Sequence, residues 1–174
     1  AYIFTNADGC SDTASSTIVV ADVTHLSVSS IDGQCFNGDE ITLNNVSPTG
    51  GNYSGKGISA GVFTPKKAGE GVHNVDYSYT NSDGCKTETS FNIEVFEARE
   101  IKFSIDDELC SNADSIDLSS TRPKNGTHRG TGVRNEYLVP SLMNAGSNWL
   151  VYSQIDLNNC ENIDSIEIDV ISVP

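Results

Sequence analysis

The 174-residue chain carries 24 Asp and Glu against 10 Lys and Arg, a net charge of −14. Negative charge spread along the whole length would repel phosphates rather than neutralise them, which argues against a nucleic-acid partner. No apolar run approaches the roughly 20 residues a bilayer-spanning helix needs, so membrane insertion is not expected.

The chain opens on Tyr2-Ile3-Phe4-Thr5-Asn6-Ala7-Asp8-Gly9-Cys10, and 75 positions later the same phrase stands at Tyr77–Cys85. A worn copy, with Tyr152 and Cys160 in register, follows after another 75, and Cys35 and Cys110 keep the same interval. A period of this size is a small domain in tandem, not a short solenoid unit. On that ruler residues 1–22 are the C-terminal part of a truncated repeat, whereas 23–98 and 99–174 are complete repeats.

Strand signals dominate and no amphipathic helix is apparent. Taken in order, Thr17–Val20, Ile41–Leu43, Val75–Tyr79 and Phe91–Val95 cluster or alternate β-branched and aromatic residues. The third unit answers with Ile101–Phe103, Ile116–Leu118, Trp149–Tyr152 and Ile166–Val170. In the last run Ile166, Ile168 and Val170 share one face and Glu167 and Asp169 the other, a strand with one wet face. Turns every 8–12 residues complete the pattern of antiparallel two-sheet domains. Asp8-Gly9 and Asp83-Gly84 read as tight hairpin turns with both central residues at positive φ, each followed by a cysteine that starts the final strand. Gly51, Gly55 and Gly57 recur as Gly126, Gly130 and Gly132, and Pro48 and Pro65 as Pro123 and Pro140. That frame marks backbone that bends sharply or passes close to a neighbour. Only Glu97-Ala98-Arg99 separates the two complete units, so a stiff, end-to-end array is expected.

Units this small usually need a staple. Cys35 and Cys85 lie 50 apart within one unit and Cys110 and Cys160 lie 50 apart within the next, so the expected disulfides are Cys35–Cys85 and Cys110–Cys160. Closing such a loop would stabilise a unit by about 4 kcal/mol on the chain-entropy model. The partner of Cys10 would lie before Ala1. Such bridges imply an oxidising compartment, the periplasm, the cell surface or the extracellular space.

No catalytic constellation stands out. His25, His73 and His128 are far apart without a Ser or Cys partner, and the disulfides use every cysteine. No cofactor is expected. The weak metal alternative is calcium, which wants several oxygen ligands. Its candidates are Asp32, Asn37, Asp39 and Glu40, and, at the same place in the next unit, Asp106, Asp107, Glu108, Asn112 and Asp114. Tyr53, Phe63 and Tyr137 are candidate aromatics for a sugar platform.

These residues resemble the Ig-like repeats of giant surface adhesins in gliding Bacteroidetes, the SprB type. The resemblance runs through Cys35, Pro48, Gly50 to Ile58, Phe63-Thr64-Pro65, Ala68 to His73, Val75, Tyr77, Tyr79 and Gly84-Cys85. The third unit departs from it, with His128 and Arg129 for Tyr53 and Ser54 and Leu138 for Phe63, yet keeps its cysteines, prolines and glycines. The resemblance implies Ig-like β-sandwiches, type IX secretion and display as a filament at the cell surface. It further implies that the partners are neighbouring repeats of the same chain and an extracellular polysaccharide or surface. A short Asp-Ser/Thr-apolar motif that such organisms O-glycosylate occurs at Thr13, Ser115 and Ser165.

Overall fold

The structure, a computed structural model, describes residues 1–173. Its strands are β1 (Tyr2–Thr5), β2 (Ser11–Ala14), β3 (Ser27–Val28), β4 (Gln34–Cys35), β5 (Ile41–Thr42), β6 (Val46–Ser47), β7 (Asn52–Gly55), β8 (Ile58–Ser59) and β9 (Val62–Phe63). A one-turn helix, α1 (Pro65–Ala68), leads into the long hairpin β10 (Gly71–Thr80) and β11 (Lys86–Phe96). There follow β12 (Glu108–Cys110), β13 (Ile116–Asp117), β14 (Thr127–Arg129), β15 (Val133–Arg134), β16 (Tyr137–Leu138), and a second long hairpin, β17 (Gly146–Ile155) and β18 (Glu161–Ile171). Single 3-10 turns cover Leu118–Ser120 and Pro140–Leu142. The described residues are mostly β, consistent with the all-β class expected.

Two four-stranded sheets, β4-β11-β10-β7 and β12-β18-β17-β14, have the same strand order. Their registers coincide at the 75-residue offset. Tyr77 faces Tyr53 and Thr89, and Tyr152 faces His128 and Asp164. Two three-stranded sheets, β5-β9-β8 and β13-β16-β15, repeat likewise. The β3–β6 pair has only an isolated bridge, Lys102 to Arg122, as its counterpart. That bridge is all that forms of the strand expected at Ile101–Phe103.

Alternation explains the burial. Along β11 Ile93 and Val95 point inward on either side of exposed Glu94, and along β18 Ile168 and Val170 do the same on either side of exposed Asp169. Val75, Ile93 and Val95 of the four-stranded sheet meet Phe63, Leu43 and Ala68 from the other layer. In the second core Leu150, Ile168 and Val170 meet Leu138 and Leu118. Phe63 and Leu138 are both fully buried, so the change of side chain is absorbed by repacking around the same position. Each such side chain contributes about 1.5–3 kcal/mol by leaving water.

Three expectations are corrected. Thr17–Val20 forms no strand, and Ile18, Val19 and Val20 are exposed; a β-branched cluster without a facing layer has nothing to bury itself against. The hairpin turns are wider than Asp-Gly alone. Asn81 to Cys85 forms the loop, Gly84 alone takes positive φ (81°), and the Asn81 side chain accepts from the backbone N–H groups of Asp83 and Cys85. The cysteine therefore closes the loop, and the strand starts one residue later.

The third correction concerns the sulfurs. Cys35 is bonded to Cys160, not to Cys85, and Cys85 and Cys110 are free thiols, as is Cys10. The sheet explains why. Cys35 on β4 lies beside Phe96 at the far end of β11, in parallel register. Cys85 immediately precedes the opposite end of that strand, eleven residues back, which is about 35 Å at strand rise. Disulfides need Cα atoms within about 7 Å. Cys110 lies beside Ile171 in the same manner, equally far from Cys160. A bridge within either unit would require taking its main sheet apart.

Candidate functional site

The Cys35–Cys160 bond ties the two cores together at their junction. The early cysteine is delivered by β4, a two-residue strand fixed to the end of β11, and the late cysteine by the tip of the β17–β18 hairpin. Their Cα atoms are 5.5 Å apart. Asp156 shapes that tip as Asn81 does the earlier one, its carboxylate accepting from the N–H groups of Asn158 and Cys160 at 2.9 Å each. Asn159 takes the positive φ (63°) that glycine supplies in the other two copies of the loop.

Hydrogen bonds flank the sulfurs. Asn37 Nδ2 donates to the Glu161 carbonyl at 2.9 Å, from one unit to the other. The linker is held on both sides. Ala98 N–H donates to the Glu70 carboxylate at 3.2 Å, and Arg99 N–H donates to Asn162 Oδ1 at 2.7 Å. Cys160 and Asn162 are buried, at 2% and 3% exposure. A buried polar side chain with its acceptor filled is costly to disturb, so this linker is pinned rather than loose.

Other proposed site residues scatter. Glu40 accepts from the Thr64 hydroxyl at 2.8 Å and lies 3.9 Å from Lys67, and Asn37 is committed to the strap that Cys35–Cys160 and its flanking hydrogen bonds make between the two cores. The carbonyls of Asp32 and Asp107 accept from Gln34 Nε2 and Asp169 N–H. Among the described residues no three His, Cys, Asp or Glu side chains converge, and Asp39, Asp106 and Asp114 are not drawn together with them. Thr13, Ser115 and Ser165 are all exposed.

The three aromatics do not form a platform. Phe63 is core, and Tyr53 is half-buried with its ring 4.6 Å from that of Tyr77; Tyr137 alone of the three is exposed. Burial holds the Tyr53 phenol above its ordinary pKa, partly offset by the hydrogen bond from Val46 N–H. In the second core His128 occupies the place of Tyr53, with its ring 4.5 Å from that of Tyr152. Burial lowers its pKa, against a smaller opposing effect of Glu136, and Nε2 lies 2.9 Å from the Thr121 hydroxyl. His73 contacts the Gly69 carbonyl and His25 is exposed, so the three histidines are not assembled.

Comparison with known proteins adds no assignment. No protein-family model matches the chain, and no curated protein sequence matches it significantly. The functional reading therefore rests on the junction. Sequence reasoning missed Asn37 as a strap residue, although Cys35-Phe36-Asn37 and Cys110-Ser111-Asn112 repeat the same spacing. It also missed the side chain four positions before each late cysteine: Asn6, Asn81 and Asp156.

Proposed function

We propose that this chain is a structural segment of a long cell-surface adhesin filament, exported by the type IX route and serving adhesion and gliding. In this reading residues 23–98 and 99–174 are tandem Ig-like sandwiches placed end to end, and residues 1–22 belong to a further copy. The observation that supports it most is the Cys35–Cys160 bond, which ties one unit to the next beside a linker already pinned by Glu70 and Asn162. A covalent strap across a joint resists bending and pulling, the loads a filament carries. An enzyme gains little from it, and a free-standing binding module does not need it.

Antibodies raised against residues 23–174 should decorate extended fibres on intact, unpermeabilised cells of the source organism. Labelling that appears only after permeabilisation would rule out the surface assignment.

A further inference from the structure

Cys110 and Cys85 are the counterparts, one repeat on and one repeat back, of the two bonded sulfurs. Cys110 sits beside Ile171 as Cys35 sits beside Phe96. It is exposed, with Asn112 two residues on, as Asn37 follows Cys35. Cys85 closes a loop shaped by Asn81 as Cys160 closes one shaped by Asp156, with both late-cysteine N–H groups 2.9 Å from the shaping oxygen. Each free thiol is thus presented on the local structure that elsewhere in the same molecule carries a completed inter-unit bond.

From this we infer that Cys85 and Cys110 are the two open halves of the same strap, and that each takes the complementary cysteine of another copy of this unit. Cys110 bonds the late cysteine of a copy docked at the β12–β18 end, with Asn112 donating to the backbone carbonyl that follows it. Cys85 bonds the early cysteine of a copy on the other side. The occupant is a further copy because the interface already exists once in the molecule and these residues extend it. The chemistry balances simply. Two thiols lose two protons and two electrons, forming one S–S bond, and a small disulfide such as oxidised glutathione accepts them and leaves as two thiols.

This rests on the reading of the chain as a strapped array and adds a consequence to it. The span closed by Cys35–Cys160 contains Cys110, so the next strap begins inside the previous one and the two overlap over residues 110–160. In a continuous array no residue lies outside a covalent loop. One bridge per unit, confined to that unit, would leave every linker uncovered.

The test uses the full chain carrying Cys85→Ser, extended after Pro174 by a second copy of residues 25–98 with its own cysteines kept. It is oxidised with glutathione disulfide and mapped by non-reducing peptide mass spectrometry. Cys110 should be found joined to the added copy's counterpart of Cys85, with Cys35–Cys160 intact. If Cys35–Cys160 is present but Cys110 is a thiol or is joined to Cys10, the inference is overturned while the strap stands. If Cys35–Cys160 is itself absent, the strapped-array reading falls with it. Should the extended chain not fold, the unextended chain with Cys85 restored decides: maleimide should label Cys85 and Cys110 rapidly and spare Cys35 and Cys160. Slow labelling of Cys110 with Cys35 and Cys160 spared would overturn the inference while the strap stands; equal labelling of all four would remove the strap itself.

Discussion

Tyr77 donates its phenolic proton to the Pro48 carbonyl at 2.7 Å and accepts from the Gly51 N–H at 2.8 Å. Tyr152 does the same with Pro123 and Gly126, both at 2.7 Å. One buried hydroxyl thus satisfies two backbone groups that turn back over the sheet, and glycine is required beneath it. A Cβ on Gly51 would fall on the Tyr77 ring and the Ser78 carbonyl, and one on Gly126 on the Tyr152 ring and the Ser153 carbonyl. Tyr77→Phe keeps the ring and strands both backbone groups, at a cost of about 1–3 kcal/mol. Its urea midpoint should fall with an unchanged slope, and Tyr152→Phe should behave alike; unmoved midpoints would show that water replaces the hydroxyl without loss.

At the scale of elements, the glycines separate into two kinds that a sequence does not distinguish. Gly84 has φ 81° with open space around it, so Gly84→Ala meets only the left-handed penalty, about 1–2 kcal/mol. Gly57 has φ 79° as well, but a Cβ there would lie 2.7 Å from the Ala68 Cβ and 2.8 Å from its backbone nitrogen. Gly57→Ala must therefore also push α1 off the core, adding about 1–3 kcal/mol of overpacking. Chemical denaturation of the two variants should rank Gly57→Ala clearly the less stable; the reverse order would mean that α1 yields freely. Exposed ion pairs such as Lys86–Glu88 and Lys102–Glu100 matter far less to these elements, since both partners are mostly solvated.

For the whole molecule the decisive feature is which sulfurs are joined. The bond spans 125 residues, and pulled from its ends the oxidised chain cannot release the segment between Cys35 and Cys160. At full extension that segment is worth about 430 Å of contour. Single molecules pulled with and without reductant should differ in final length by about this amount. A difference near 170 Å per bridge, the length of a 50-residue loop at about 3.4 Å per residue, would instead indicate pairing within units.

The sequence alone specified the 75-residue period, the strands of both long hairpins, the inward face of Ile166, Ile168 and Val170, and the glycine frame. These are local matters of side-chain alternation and backbone freedom, which neighbouring residues report directly. Thr17–Val20 carries the same local signal without forming a strand, because burial depends on a facing layer that alternation cannot announce. The cysteine pairing lay further out of reach. Spacing allows Cys35 to partner either Cys85 or Cys160 on the same ruler, and only the parallel seating of β4 against the end of β11 sets one partner a whole strand away and brings the other within 5.5 Å. Distance through space between residues far apart in the chain is a property of the assembled sheets, and it is there that the strap was decided.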